Sequence, residues 1–291
     1  MLGPMRTWLR RRQRARALGG VAAAALGCNR SEGVRVMQAM LRANLAFIRQ
    51  SHRLSSVREY RLPVVTWHGA EAFRAAVSRD GRPLLLATLH MGNYLHHLLA
   101  LAPHLTWLGR VTLLRRTHDS DLEAPLQARA SSLGLELRLV HTGQHPGRTA
   151  LRALSRGEHV LLLYDVPPSF DVGRTMTASL LGHPAALPAG PALLCRAGNA
   201  LLWPFCVLPD GKDLLLHSRD PFPVRSAADV EPAIHTLARF AESAILAAPE
   251  QWLLWAHLSE MWSRAASLSA DRVAQRPPVQ PPNQPPNPGP E

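Results

Sequence analysis

The chain has 291 residues, 46% of them apolar and 19% charged, enough for one sizeable core, which excludes a collagen or a disordered polyelectrolyte. Its formal charge of +12 comes from 33 basic and 21 acidic residues, and Lys212 is the only lysine. Three scattered cysteines, Cys28, Cys195 and Cys206, fit neither a disulfide framework nor a C-x-x-C zinc or redox site, so a reducing compartment is expected.

The basic field is concentrated at the start. Arg6, Arg10, Arg11, Arg12, Arg14 and Arg16 fall within the first 16 residues, which hold no acid. Such an arm is drawn to anionic headgroups by about 1 kcal/mol per residue near the surface. A nucleic-acid partner is disfavoured, because no helix-turn-helix, zinc or aromatic-platform signature accompanies the arginines. ALGGVAAAALG follows at residues 17–27. With the arginines it superficially forms the n- and h-regions of a secretory signal, but the run is short and glycine-diluted, and Cys28 lacks the leucine of a lipoprotein cleavage site three residues earlier. A short membrane-surface or core helix is the plainer expectation. A second helix is predicted to about Gln50, where Val34, Met37, Met40, Leu41, Leu45 and Phe47 recur near helical spacing. No stretch approaches the roughly 18 uninterrupted apolar residues of a spanning segment.

From there strands and helices alternate. Apolar runs predict strands at Leu84–Leu89, Arg110–Leu114, Leu135–Val140, His159–Tyr164, Ala200–Val207 and Leu214–His217. Helices are predicted at Ala70–Val77, Tyr94–Ala102, Leu122–Ser132, Arg148–Ser155, Pro191–Ala197 and Val230–Ala247. Continuous apolar strands such as LLLAT suit a sheet covered on both faces. The fold class is therefore α/β, with a mixed sheet flanked by helices. The organisation expected is a basic arm and short apolar membrane-associating helix at 1–30, an α/β domain at 31–270, and an extended, solvated proline-rich tail at 271–291, in which eight of the last fifteen residues are proline. Arg115, Arg116, His118, Asp119 and Asp121 read as a solvated loop. Trp252, Trp255 and Trp262 read as one helical face, for packing or interface seating.

The most informative segment is RPLLLATLHMGNYLHHLLAL at 82–101. An apolar strand ends at His90, a Met91-Gly92-Asn93 turn follows, and an apolar helix begins at Tyr94. This sets an imidazole at the carboxyl end of a buried strand, where open α/β sheets bind ligands. Such a ring either takes a proton from an attacking alcohol or simply caps the helix, and the fragment alone leaves both open. His96 and His97 read as packed histidines, not metal ligands.

The run T-L-H-M-G-N-Y resembles the His-x-Gly-Asn-aromatic signature of the bacterial lipid A biosynthesis acyltransferases, a branch of the lysophospholipid acyltransferase superfamily. The similarity continues in order through ARASSLGLEL (128–137), LRALSRGEHVLLLYDVPP (151–168), SLLGHPAALPAGPALLCRAGNALLWPFCV (179–207) and APEQWLLWAHLSEMW (248–262), with RANLAFI upstream. It covers roughly residues 30–265. The resemblance implies a glycerolipid acyltransferase-like fold and transfer of a fatty acyl chain from an acyl carrier protein or CoA thioester, without a cofactor, to a hydroxyl or amine of a glycolipid or related lipid. His90 falls on the general base and Asp165 on the aspartate after the L-x-x-G-x-x-V strand. Arg129 falls on an arginine suited to a phosphate of the acceptor or donor, with Gly92 and Asn93 also at the substrate. A hydrophobic slot for the tail is expected beside His90. The implied partners are an acyl carrier protein, a lipid or glycolipid acceptor and the membrane surface, and the implied location is peripheral, on the cytoplasmic face of the bacterial inner membrane.

One position departs from the family pattern. Five residues after the histidine, where the family has Glu or Asp, stands Leu95. Three readings follow: Asp165 orients His90 instead, the acceptor is a stronger nucleophile such as an amine, or the chain is a degraded homologue kept as a lipid- or carrier-protein-binding scaffold. The departure also admits an acyltransferase of capsule or specialised-metabolite biosynthesis.

Overall fold

The computed structural model describes residues 3–56, 61–115, 120–141, 146–170 and 173–274. It opens with two helices, α1 (Gly3–Leu26) and α2 (Arg30–Ser56). Asn29 starts α2 through a reciprocal cap: its Oδ1 accepts the Glu32 N–H at 3.0 Å, and Glu32 Oε2 accepts the Asn29 N–H at 3.1 Å. Gly19 of the apolar run and Gly33 of α2 form the seam between the two helices. A Cβ on Gly19 would stand 3.0 Å from Val34 N, and one on Gly33 would stand 2.8 Å from Ala23 N, so larger residues would push the backbones apart. Ala15, Ala22, Met37 and Met40 are buried here and belong to the main core. Instead of an arm followed by a short helix, there is one continuous helix of 24 residues. Among the described residues no helix is long and apolar enough to cross a membrane.

The central region is a parallel-dominated sheet. In chain order its strands and helices are β1 (Val65–Thr66), α3 (Ala70–Asp80), β2 (Leu84–Thr88), α4 (Tyr94–Leu105), β3 (Arg110–Arg115), α5 (Ser120–Ser132), β4 (Glu136–His141), α6 (Pro146–Ser155) and β5 (His159–Leu163). A two-stranded hairpin follows, β6 (Thr175–Leu180) with β7 (His183–Pro188), then α7 (Gly190–Ala197), β8 (Leu201–Asp210), β9 (Asp213–Ser218), β10 (Phe222–Pro223), α8 (Val230–Ala247) and α9 (Leu258–Ala274). The strand order is β1-β9-β8-β2-β5-β3-β4, with β10 also on β8. β8, β2, β5, β3 and β4 run parallel, while β9 and β10 pair antiparallel with β8.

Side-chain alternation along β2 explains its unbroken apolar run. Leu84 and Leu86 enter a core beneath α4, shared with Leu95, Leu99 and Trp203. Leu85, Ala87 and Leu89 enter the opposite core, shared with α8 and the helical hairpin. Every residue of β2 is thus buried, and each fully buried leucine contributes about 2 kcal/mol.

The β6–β7 hairpin has no counterpart in the elements predicted from sequence. Its turn is Leu181-Gly182, both at positive φ (52° and 75°), and Glu242 of α8 accepts the Leu181 N–H at 2.9 Å, holding a backbone conformation that leucine disfavours. α9 packs against β7 and runs through Ala274, past the expected domain boundary at 270. The rest of the expected proline-rich tail lies outside the described residues.

Candidate active site

The site is built at the carboxyl ends of the two central strands. β2 and β5 are parallel neighbours, with Thr88 beside Leu163, so the residues just beyond them, His90 and Asp165, meet although 75 positions apart. Tyr164 fixes the end of β5: its N–H donates to Thr88 O at 3.0 Å and its buried hydroxyl donates to Leu237 O at 2.9 Å.

Asp165 engages His90 twice. Its Oδ1 lies 2.7 Å from His90 Nδ1, and its Oδ2 accepts the His90 backbone N–H at 2.9 Å. A carboxylate oxygen that only accepts calls for a proton on Nδ1, and in the neutral tautomer that does this Nε2 is the nitrogen without a proton. The carboxylate side chain is 2% exposed, whereas the imidazole is 18% exposed and accessible from outside.

A third donor comes from the chain's closing segment. Trp252 Nε1–H donates to Asp165 Oδ2 at 2.9 Å. Backbone contacts strap the same segment to the histidine turn: Leu253 N–H donates to His90 O at 2.9 Å, Gly92 N–H donates to Gln251 O at 2.7 Å, and Met91 bridges Trp252. The three tryptophans do not share a helical face. Trp252 lies in the strap, Trp255 in a 3-10 turn with its ring 5.1 Å from that of Trp252, and Trp262 in α9 beside His183. Core packing is the observed setting of the first two, which are buried.

Gly92 and Asn93 form the turn itself. Gly92 has φ +52°, and a Cβ there would stand 2.8 Å from His97 Cε1 and 2.7 Å from Gln251 Oε1. Asn93 caps α4, its Oδ1 accepting the His96 N–H at 3.1 Å. The structure does not bring Arg129 beside these residues. It lies in the last turn of α5, which leads into the amino end of β4, about a strand's length (~20 Å) from the carboxyl edge.

Leu95 faces inward from the first turn of α4 and is buried. With Tyr94, His97, Leu113, Leu161 and Phe205 it lines an apolar cavity of about 20 Å³, room for a single water-sized molecule. This is smaller than the slot expected for a fatty tail, because α4 packs its leucines directly onto the sheet. Tyr94 lines the cavity and also touches His90: its ring meets the imidazole edge-on at 5.3 Å and stacks on Phe47 of α2 at 5.6 Å. Burial raises the Tyr94 phenol above its ordinary value, with Arg115 opposing and Asp165 adding.

The other titratable groups are held in unreactive forms. Burial pushes His97 down to about 3, with His96 adding, and pushes His96 down to about 4, so both rings are neutral and neither supplies charge to His90. Cys195 and Cys206 are buried, and burial raises both thiols, which removes them as thiolate nucleophiles. Among the described residues no group of three or more His, Cys, Asp or Glu could hold a metal ion.

Sequence reasoning missed two features. Trp252 gives no sequence signal of its contact with Asp165, since 87 residues separate them. Arg115 is not in a solvated loop but ends β3, beside His141 on β4, and both meet the buried Glu123, at 3.2 Å and 3.1 Å. The register of β3 on β4 is what assembles that cluster. Arg116, His118 and Asp119 lie outside the described residues.

An imidazole bonded to a buried carboxylate, at the carboxyl edge of a parallel sheet, defines the class: an α/β fold with a histidine–aspartate pair at its strand ends. The chain belongs to the bacterial lipid A biosynthesis acyltransferase family, whose model matches residues 7–258 and whose members are acyltransferases. No curated protein matches the chain significantly.

Proposed function

We propose that this chain transfers a fatty acyl group from an acyl-carrier-protein thioester to a hydroxyl of a glycolipid or related lipid, with His90 as the general base. The observation that carries the reading is the 2.7 Å contact between His90 Nδ1 and Asp165 Oδ1. With the proton on Nδ1, Nε2 accepts the acceptor's hydroxyl proton as its oxygen attacks the thioester carbonyl. Asp165 then stabilises the imidazolium. When the tetrahedral intermediate collapses, the C–S bond breaks and the imidazolium returns its proton to the departing thiolate, giving an ester and a free thiol.

The same pair offsets the departure at Leu95. Asp165 approaches the nitrogen that an orienting acid must reach, from β5 instead of α4. Gly92 and Asn93 serve the substrate by fixing the turn that presents His90. Because the cavity lined by Tyr94 has only about 20 Å³ of room, an acyl tail entering there has to displace lining side chains such as the Tyr94 ring. Arg129, in the last turn of α5, is left the role of meeting a phosphate away from the reacting carbon. The arginine-rich first helix and the +12 balance favour an acidic carrier protein and an anionic membrane surface on its cytoplasmic side, with encounter slowed by salt.

The test is to incubate purified full-length protein with labelled acyl carrier protein and extracted lipids, beside His90→Ala. Transfer by the native chain and its loss in the variant are expected. Equal transfer by both removes His90 from the mechanism, and saturable carrier binding without turnover makes the chain a scaffold.

A further inference from the structure

Asp165 has two oxygens to keep in register, and neither is positioned by its own strand alone. Oδ1 meets His90 Nδ1 at 2.7 Å, while Oδ2 accepts two N–H groups at 2.9 Å, one from the His90 backbone and one from the Trp252 indole. Two donors on one oxygen define the plane of the carboxylate. Without the indole, both of the carboxylate's contacts are to His90, the residue whose ring it has to orient. Trp252 is suited to hold that plane: it is fully buried, it packs against Trp255, and its backbone is clamped to the histidine turn by the Leu253–His90 and Gly92–Gln251 bonds. In this chain the position five residues after His90 is Leu95, so among the described side chains Asp165 is the only carboxylate bonded to the ring.

We propose that Trp252 is a positioning residue for acyl transfer: its indole N–H locks the Asp165 carboxylate in the orientation that holds the proton on His90 Nδ1, so that the closing strap and the histidine turn form one functional unit. The inference rests on the reading of His90 as the base and extends it to a segment that touches no substrate. Tyr94, Arg115 and His97 are titratable groups near the turn and α4, and among the described contacts none of them is bonded to either oxygen of Asp165.

The experiment compares full-length Trp252→Phe, which keeps an aromatic ring and removes the N–H, with Trp255→Phe, which removes an indole whose N–H goes to Pro249 O at 2.7 Å. The readout is the low-field proton resonance of His90 Nδ1–H, together with the steady-state constants. In Trp252→Phe the resonance broadens into exchange with water and kcat falls about tenfold with KM unchanged, as for a lost interaction that matters at the transition state. In Trp255→Phe the resonance persists. An unchanged resonance in Trp252→Phe overturns the proposal whatever the activity. If the native chain transfers no acyl group and Trp252→Phe still loses the resonance, the transferase reading fails and the positioning contact stands. If Trp252→Phe does not fold, tryptophan-labelled Asp165→Asn replaces it: the Trp252 indole N–H resonance moves as the carboxylate becomes an amide, and a stationary resonance overturns the proposal.

Discussion

Replacing Asp165 by asparagine changes one atom in the oriented pair and inverts its logic. The two N–H groups now on Oδ2, from the His90 backbone and Trp252 Nε1, both require an acceptor. The amide therefore keeps its oxygen there and turns its NH2 towards His90 Nδ1, 2.7 Å from the present Oδ1. Facing a donor, Nδ1 becomes the acceptor and the ring proton moves to Nε2, the nitrogen that has to receive the hydroxyl proton. The analogous change in a serine protease triad costs about 10⁴ in kcat, or roughly 5.5 kcal/mol at 1.36 kcal/mol per decade. Because all three hydrogen bonds are retained, the fold is predicted to survive, with thermal unfolding shifted by only a few degrees. Single-turnover transfer from labelled acyl carrier protein measures the effect. An Asp165→Asn variant that is well folded and within tenfold of the native rate would refute the assignment of Asp165 as the group that sets the ring's tautomer.

Other substitutions probe the surroundings. Leu95→Glu restores an acid at the family position but places it in an apolar site beside Leu113 and Leu161, so it is expected to destabilise by about 3 kcal/mol in a denaturant melt without raising the transfer rate; a gain in rate would show that Asp165 is an incomplete substitute. Gly92→Ala puts a methyl against the buried His97 ring at a left-handed φ of +52°, and should cost about 2 kcal/mol and lower Tm by roughly 5 °C. His96 and His97 are neutral when folded, at about 4 and about 3, and protonate first in the unfolded chain, whose ordinary value is 6.5. Stability therefore falls as pH drops below 6.5, by about 2 kcal/mol for each ring between pH 7 and pH 5, and a urea midpoint constant over that interval would contradict the burial of the pair.

The legible parts of this protein are those whose physics is local. Unbroken apolar runs such as LLLAT marked the two-sided sheet, because every residue of β2 must be apolar to face a core on both sides. The MGN turn marked the site, because an imidazole between a strand end and a capped helix has few other places to go. What stayed hidden depends on register and on distance along the chain. Gly19 reads as dilution of the apolar run until the seam of the first two helices is seen, with Gly19 against Val34 and Gly33 against Ala23. The β6–β7 hairpin alternates buried residues with partly buried or exposed ones at Thr175–Leu180, but this period of two runs through Thr, Ala and Ser and gives only a weak apolar signal. The pairing of His90 with Asp165, one of three readings of the Leu95 departure, follows from β2 lying beside β5, a neighbour relation the sequence leaves open; that of Asp165 with Trp252 comes from the strap and leaves no trace in the sequence.

The most direct measurement is the nitrogen NMR spectrum of His90 in the full-length protein, assigned by its loss in His90→Ala. The account predicts a neutral ring with its proton on Nδ1 and a bare, pyridine-type Nε2. A ring carrying its proton on Nε2 would contradict it, since that nitrogen could then take no proton from an incoming alcohol.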